Sequence, residues 1–149
     1  MKRMLSLLVL SFAGCRIEAS YKVAEFESVE YKRVFSICRE LLSRHYTGVV
    51  IRADEPKGQI ETDDALFNTS KGLRRERACI NVIARQEGVV EVAVFAPMYK
   101  QEIDPDTQPP VRWVALGSDV KQERRLLDEI MGEVLAAFPD AAVRSQPRW

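Results

Sequence analysis

Few side chains in this sequence have the type and spacing for chemistry. His45 is its one imidazole, and no serine, cysteine or carboxylate motif stands near it to make a nucleophile–base pair. Near the end of a helix a protonated imidazole is favoured by the helix dipole, by roughly 0.3–1 kcal/mol, and His45 is read that way. Asp63-Asp64 and Asp104-x-Asp106 offer oxygens to a hard cation, yet neither lies in a glycine-containing loop closed by a glutamate. Both read as solvated turns. Asp54 and Glu55 adjoin in a turn, whereas acid–base work on a glycoside needs two carboxyls held across a cleft. One histidine and the cysteines fall short of the usual zinc sets. The chain has no glycine-rich phosphate loop, no nucleophile elbow and no HExxH helix. These residues assign no catalytic group, no metal and no cofactor.

The elements that would position them follow from periodicity. Residues 28–46 predict a helix. Ser28 is its expected N-cap, Val34, Phe35, Cys38, Leu41 and Leu42 form one apolar face, and Gly48 takes a left-handed C-terminal position. Val49–Asp54 and Gln59–Thr62 read as short strands around the turn Asp54-Glu55-Pro56-Lys57-Gly58. Residues 63–72 read as a loop. Leu73–Arg85 and Val89–Tyr99 alternate as a hairpin around Gln86-Glu87-Gly88. Ile80 and Val82 share a face, Val92 and Val94 pack beside them, and Pro97 marks an edge, bulge or strand end. Residues 100–110 read as a loop and Val111–Leu116 as a strand. Asp119 with Gln122 has the form of a capping box, and Leu126, Leu127, Ile130, Met131, Val134 and Leu135 form a stripe that Pro139 ends. The order is helix, strands, helix. It predicts an α+β fold: a single antiparallel sheet of four to five strands, with an N-terminal and a C-terminal helix on one face.

Length and composition suit one domain: 149 residues, 46% hydrophobic and 30% charged. Lys plus Arg and Asp plus Glu each total 22, so no bulk field draws the chain to nucleic acid.

The first fifteen residues have a different character. Lys2 and Arg3 precede the apolar stretch Met4–Leu10, and Ser11-Phe12-Ala13-Gly14 lead to Cys15. A charged start, a short apolar core and small residues describe a secretory leader, and the core is only about half the ~20 residues of a membrane span. Phe12-Ala13-Gly14-Cys15 resembles the lipobox of bacterial lipoprotein precursors. The departure is Phe12, where that class usually carries Leu, Val or Ile. The resemblance implies cleavage before Cys15 and acylation of its thiol. It divides the chain into a signal peptide (1–14), a lipidated tether (15–27), an α+β domain (28–139) and a C-terminal tail (140–149). Arg16, rather than Asp, implies the periplasmic face of the outer membrane if the source is Gram-negative.

With Cys15 committed to lipid, Cys38 and Cys79 remain as an even pair in an oxidising compartment, where a disulfide between them is permitted. Lys71, Arg74, Arg75 and Arg77 are the one local run of positive charge. Beside a bilayer each adds about 1 kcal/mol of attraction for anionic headgroups; on a strand the same charges guard against edge-to-edge pairing. The helix followed by the Asp54-x-x-x-Gly58 hairpin weakly resembles lipid-anchored accessory modules of envelope assembly machines. The expected function is therefore that of a membrane-anchored, non-enzymatic domain with an envelope protein partner. A small envelope hydrolase and a carrier of lipophilic ligands are the alternatives.

Overall fold

The computed structural model describes residues 22–106 and 108–147. The leader and Cys15 lie outside them. The chain runs β1 (Lys22–Glu27), α1 (Tyr31–His45), β2 (Ile51–Asp54), β3 (Gln59–Thr62), β4 (Ala65–Thr69), β5 (Gly72–Glu76), β6 (Cys79–Gln86), β7 (Val89–Phe95), β8 (Pro97–Ile103), β9 (Val111–Ser118), α2 (Val120–Ala137) and β10 (Ala142–Pro147). The fold is α+β, with antiparallel strands and two helices at the expected places.

The expected single sheet is corrected to two. A six-stranded sheet has the order β10-β1-β7-β6-β3-β2, and a four-stranded sheet the order β4-β5-β8-β9. Both helices pack on the larger sheet. The expected hairpin is its centre, with Ile80 opposite Val94 and Val82 opposite Val92. From these rows, Phe26 and Ile60, the sheet meets Leu41 and Leu42 of α1 and Leu126 and Ile130 of α2, all buried. Each such side chain, fully buried, contributes about 1.5–3 kcal/mol.

Four further expectations change. Residues 22–27, assigned to the tether, form β1 inside the large sheet, between β7 and β10. The tail supplies β10, which pairs along all of β1. The loops over 63–72 and 100–110 contain β4, the start of β5 and the end of β8. Because β1 ends at Glu27, helix α1 starts later than expected. Ser28 turns the chain at φ 62° rather than capping the helix, and the N-cap position falls to Glu30, whose side chain makes no cap bond.

Pro97 stands where the two sheets part. It opens β8 immediately beyond β7, with only Ala96 between them. Ala96 is fixed from both sides: its carbonyl accepts from Asp119 N (2.8 Å) and its N–H donates to Glu123 Oε1 (3.0 Å). The N-terminal turn of α2 thus holds the crossover between sheets. Asp119 also caps α2, accepting from Gln122 N at 3.0 Å. Only half of the capping box forms, since the Gln122 side chain reaches across to Tyr46 instead.

Candidate functional site

Two surfaces lie at the junction of the sheets, one on each side of the four-stranded sheet. The outer side is set by strand register. Leu66 pairs with Arg75, Arg75 with Tyr99, Gln101 with Trp113 and Ile103 with Val111, so these residues share one face. Ile103 is 82% exposed, Leu66 60% and Val111 36%. In their midst the Arg75 guanidinium lies over two rings, 4.6 Å from the Tyr99 centroid and 4.7 Å from the Trp113 centroid. Cation–π contacts contribute about 0.5–2 kcal/mol each, the more so when desolvated. Arg75 Nη1 also meets Asp64 Oδ2 at 3.2 Å, and Arg77 Nε meets Asp64 Oδ1 at 3.1 Å. One buried Arg75 nitrogen, Nε, makes no hydrogen bond.

The inner side faces the helix ends across an open cleft of about 350 Å³. Its polar wall is His45, Tyr46, Glu76, Asp119 and Gln122; its apolar wall is Val49, Ala65 and Phe67. Tyr46, almost fully buried, donates to Glu76 Oε1 at 2.9 Å and accepts from Gln122 Nε2 at 3.4 Å. This relay ties α1, β5 and α2 together. Burial is the main cause raising the Glu76 carboxyl above its ordinary range; the Tyr46 hydrogen bond opposes it and the Asp119 charge adds to it. The Tyr46 phenol is raised too, first by burial and then by Glu76.

The residues singled out by sequence fall as follows. His45 lines the cleft, but its Nε2 is 2.7 Å from Glu129 Oε2, whose carboxyl is lowered chiefly by that bond. Asp63 pairs with Arg52 at 2.7 Å while Asp64 pairs with Arg75 and Arg77, so the adjacent acids face different partners. Asp54 engages Lys57 in the β2–β3 turn. Asp104 accepts from Asp106 N at 3.2 Å and meets Arg112 at 3.7 Å. Among the described residues, no three histidine, cysteine or acidic side chains converge on a metal position.

The basic run is divided: Arg75 and Arg77 are tied to Asp64, and Arg74 lies on the cleft side of β5 opposite Phe67. The Cys38–Cys79 disulfide is corrected. Cys38 is buried against the helix-packed core, whereas Cys79 alternates with core-facing Ile80 and points to the other side of the sheet, so the sulfurs are not bonded. Burial pushes the Cys38 thiol up to about 12.

Sequence reasoning missed Tyr99 and Trp113 around Arg75, and Tyr46, Glu76 and Gln122 in the cleft. The alternation Val111-x-Trp113-x-Ala115 was a usable signal for the first group. The second group is assembled by tertiary contact, with no local pattern. No helix among the described residues is long and apolar enough to cross a membrane. No protein-family model and no curated protein matches the chain.

Proposed function

We propose that the chain is a lipid-anchored envelope protein, cut before Cys15 and acylated there, whose domain holds a protein partner on the outer face of the four-stranded sheet. The observation that supports the partner surface is the outer face itself: Leu66, Ile103 and Val111 exposed around an arginine stacked on a tyrosine and a tryptophan. Aromatic and arginine side chains dominate the energetic centres of protein interfaces, and a contiguous exposed apolar patch marks an interaction site. The partner's matching surface is apolar, with an acceptor for the unbonded Arg75 N–H. The leader and Cys15 support the anchor, and Arg16 the periplasmic face of the outer membrane in a Gram-negative source. Lys71 and Arg74 are the cations left to meet headgroups.

A photo-crosslinking residue placed at Leu66 or Ile103 is expected to trap one discrete partner in intact cells. The same residue at Ile83 or Leu135, exposed elsewhere, should not. Equal trapping at all four positions would remove the outer face as the interface. Cys15→Ser should release the protein from the membrane fraction.

A second reading, a small envelope hydrolase, draws on the cleft, where Glu76 with its raised carboxyl stands with Asp119 and His45. It predicts an activity abolished by Glu76→Gln. The carrier reading has less support, because side chains fill the space between helices and sheet.

A further inference from the structure

Strand β9 ends the order of the smaller sheet. It pairs with β8 on one side and with no strand among the described residues on the other. The register fixes which of its backbone groups point to the open side. Asp104 N donates to the Pro110 carbonyl at 2.9 Å, so that pair is hydrogen-bonded, and the antiparallel alternation repeats it at Glu102–Arg112 and Lys100–Val114. The N–H and C=O groups of Val111, Trp113 and Ala115 therefore point outward. The register is unbroken from Val111 to Ala115, and its shift leaves Leu116 as the extra residue beyond them.

Open sheet edges are ordinarily blunted by shortness, charge, proline or a bulge. Strand β2 has four residues, Arg52 and Asp54 among them, and β10 carries Arg144. Strand β9 has eight residues with Arg112 as its one charge, and Glu102 and Asp104 of the same chain hold that charge. No proline or lysine interrupts it, and Val111 and Leu116 are exposed along it.

The outward groups are also complementary to themselves. With Trp113 opposite the Trp113 of a second copy, antiparallel pairing sets Val111 opposite Ala115 and Arg112 opposite Val114. Every outward N–H of the stretch then meets an outward C=O, and no like charges face each other. This is the isologous arrangement of closed dimers. Strand β4, the other edge of the sheet, is uncharged as well, but pairing it with β9 of another copy is head-to-tail and does not close. The two Trp113 rings come side by side on the outer face, each already stacked on its own Arg75, and aromatic cross-strand pairs are stabilising.

We propose that β9 is a self-association edge: two copies of the chain pair β9 with β9, antiparallel about Trp113, and join their smaller sheets into one. The two outer faces become a continuous surface. The dimer depends neither on the lipid anchor nor on the envelope partner.

Sedimentation equilibrium of the full chain in a neutral detergent tests it, and a reversible monomer–dimer equilibrium is expected. Val111→Lys with Ala115→Lys in one chain, both at exposed positions, sets lysine opposite lysine across the axis and should weaken the dimer at least tenfold. Val111→Lys with Ala115→Glu sets opposite charges there and should restore it to within severalfold of wild type. A disulfide reads the register: Arg112→Cys and Val114→Cys chains, co-expressed, should cross-link under mild oxidation, and neither should do so alone. A wild-type chain that stays monomeric overturns the proposal; a foreign peptide, or the chain's own residues before Lys22, on this edge would leave it so. Growth beyond a dimer, equal response to both double variants, or no cross-link in the mixed chains would overturn it too.

Discussion

Glu123 is the residue on which the junction of the two sheets turns. It is fully buried, and one oxygen accepts from Ala96 N. Burial raises its carboxyl above the ordinary 4.5, against the lowering hydrogen bonds of Ala96 and Ser118 and the charge of Lys22. The sign of the consequence is fixed by linkage. As pH rises past 4.5 the unfolded chain loses this proton first. Stability therefore falls until the higher folded-state value is passed, then levels. Glu76 acts in the same direction. Denaturant midpoints measured from about pH 4 to pH 8 should decline in the wild type, and Glu123→Gln should flatten that decline. An unchanged slope would mean that Glu123 is charged in the folded state. Cys38, with its thiol raised by burial, should resist alkylation in the native protein and react only on unfolding. Reduction should leave the unfolding temperature unchanged. None of these contacts was legible from local pattern, because each joins residues far apart in the chain. His45 was placed at the end of its helix from its spacing alone, but its partner Glu129 comes from α2.

At the level of elements, legibility followed one-sided burial. The stripes of α1 and α2 and the rows of the β6–β7 hairpin each show an apolar period, because each packs a single face on the core. Strand β1 does alternate, with Ala24 and Phe26 buried and Glu25 and Glu27 on the other face, but the pattern is short and follows a segment whose composition suggested a tether. Strand β5 hid its period because Arg74 and Arg75 take positions on both faces, and Arg75 is half-buried by stacking rather than by aliphatic neighbours; β4 hid its period because Leu66 and Phe67, on opposite faces, are both exposed. Strand β10 closes the edge of the large sheet, with its Val143 and the preceding Ala141 packed on the core. Truncation after Pro139 should accordingly lower the unfolding temperature markedly; a true tail would be removed without effect. Gly58 is another element-scale constraint. It has φ 67°, and a Cβ there would run into the Val82 carbonyl. Gly58→Ala should cost roughly 1–2 kcal/mol from backbone strain alone, with more from the collision. Chemical denaturation would measure it.

At the level of the whole molecule, two sheets of different character share one chain. The larger carries the hydrophobic core, and the smaller carries the exposed apolar face and the acidic cleft. Strand β1 begins opposite Val94, beside the crossover into β8. The stretch from Cys15 to Lys22 spans at most about 25 Å, so an acylated Cys15 would hold the junction and the smaller sheet close to the bilayer. The proposed address in the leader rests on sequence alone, because the residues that carry it lie outside the described structure. The two surfaces could not be read from sequence, since strand pairing between distant segments creates them. The most direct measurement is the intact mass of the mature protein extracted from membranes of a bacterium expressing the full chain. The expected mass is that of a polypeptide beginning at Cys15 and carrying diacylglyceryl and acyl groups on that residue. A retained Met1, or an unmodified Cys15 on a protein recovered in the soluble fraction, would contradict it.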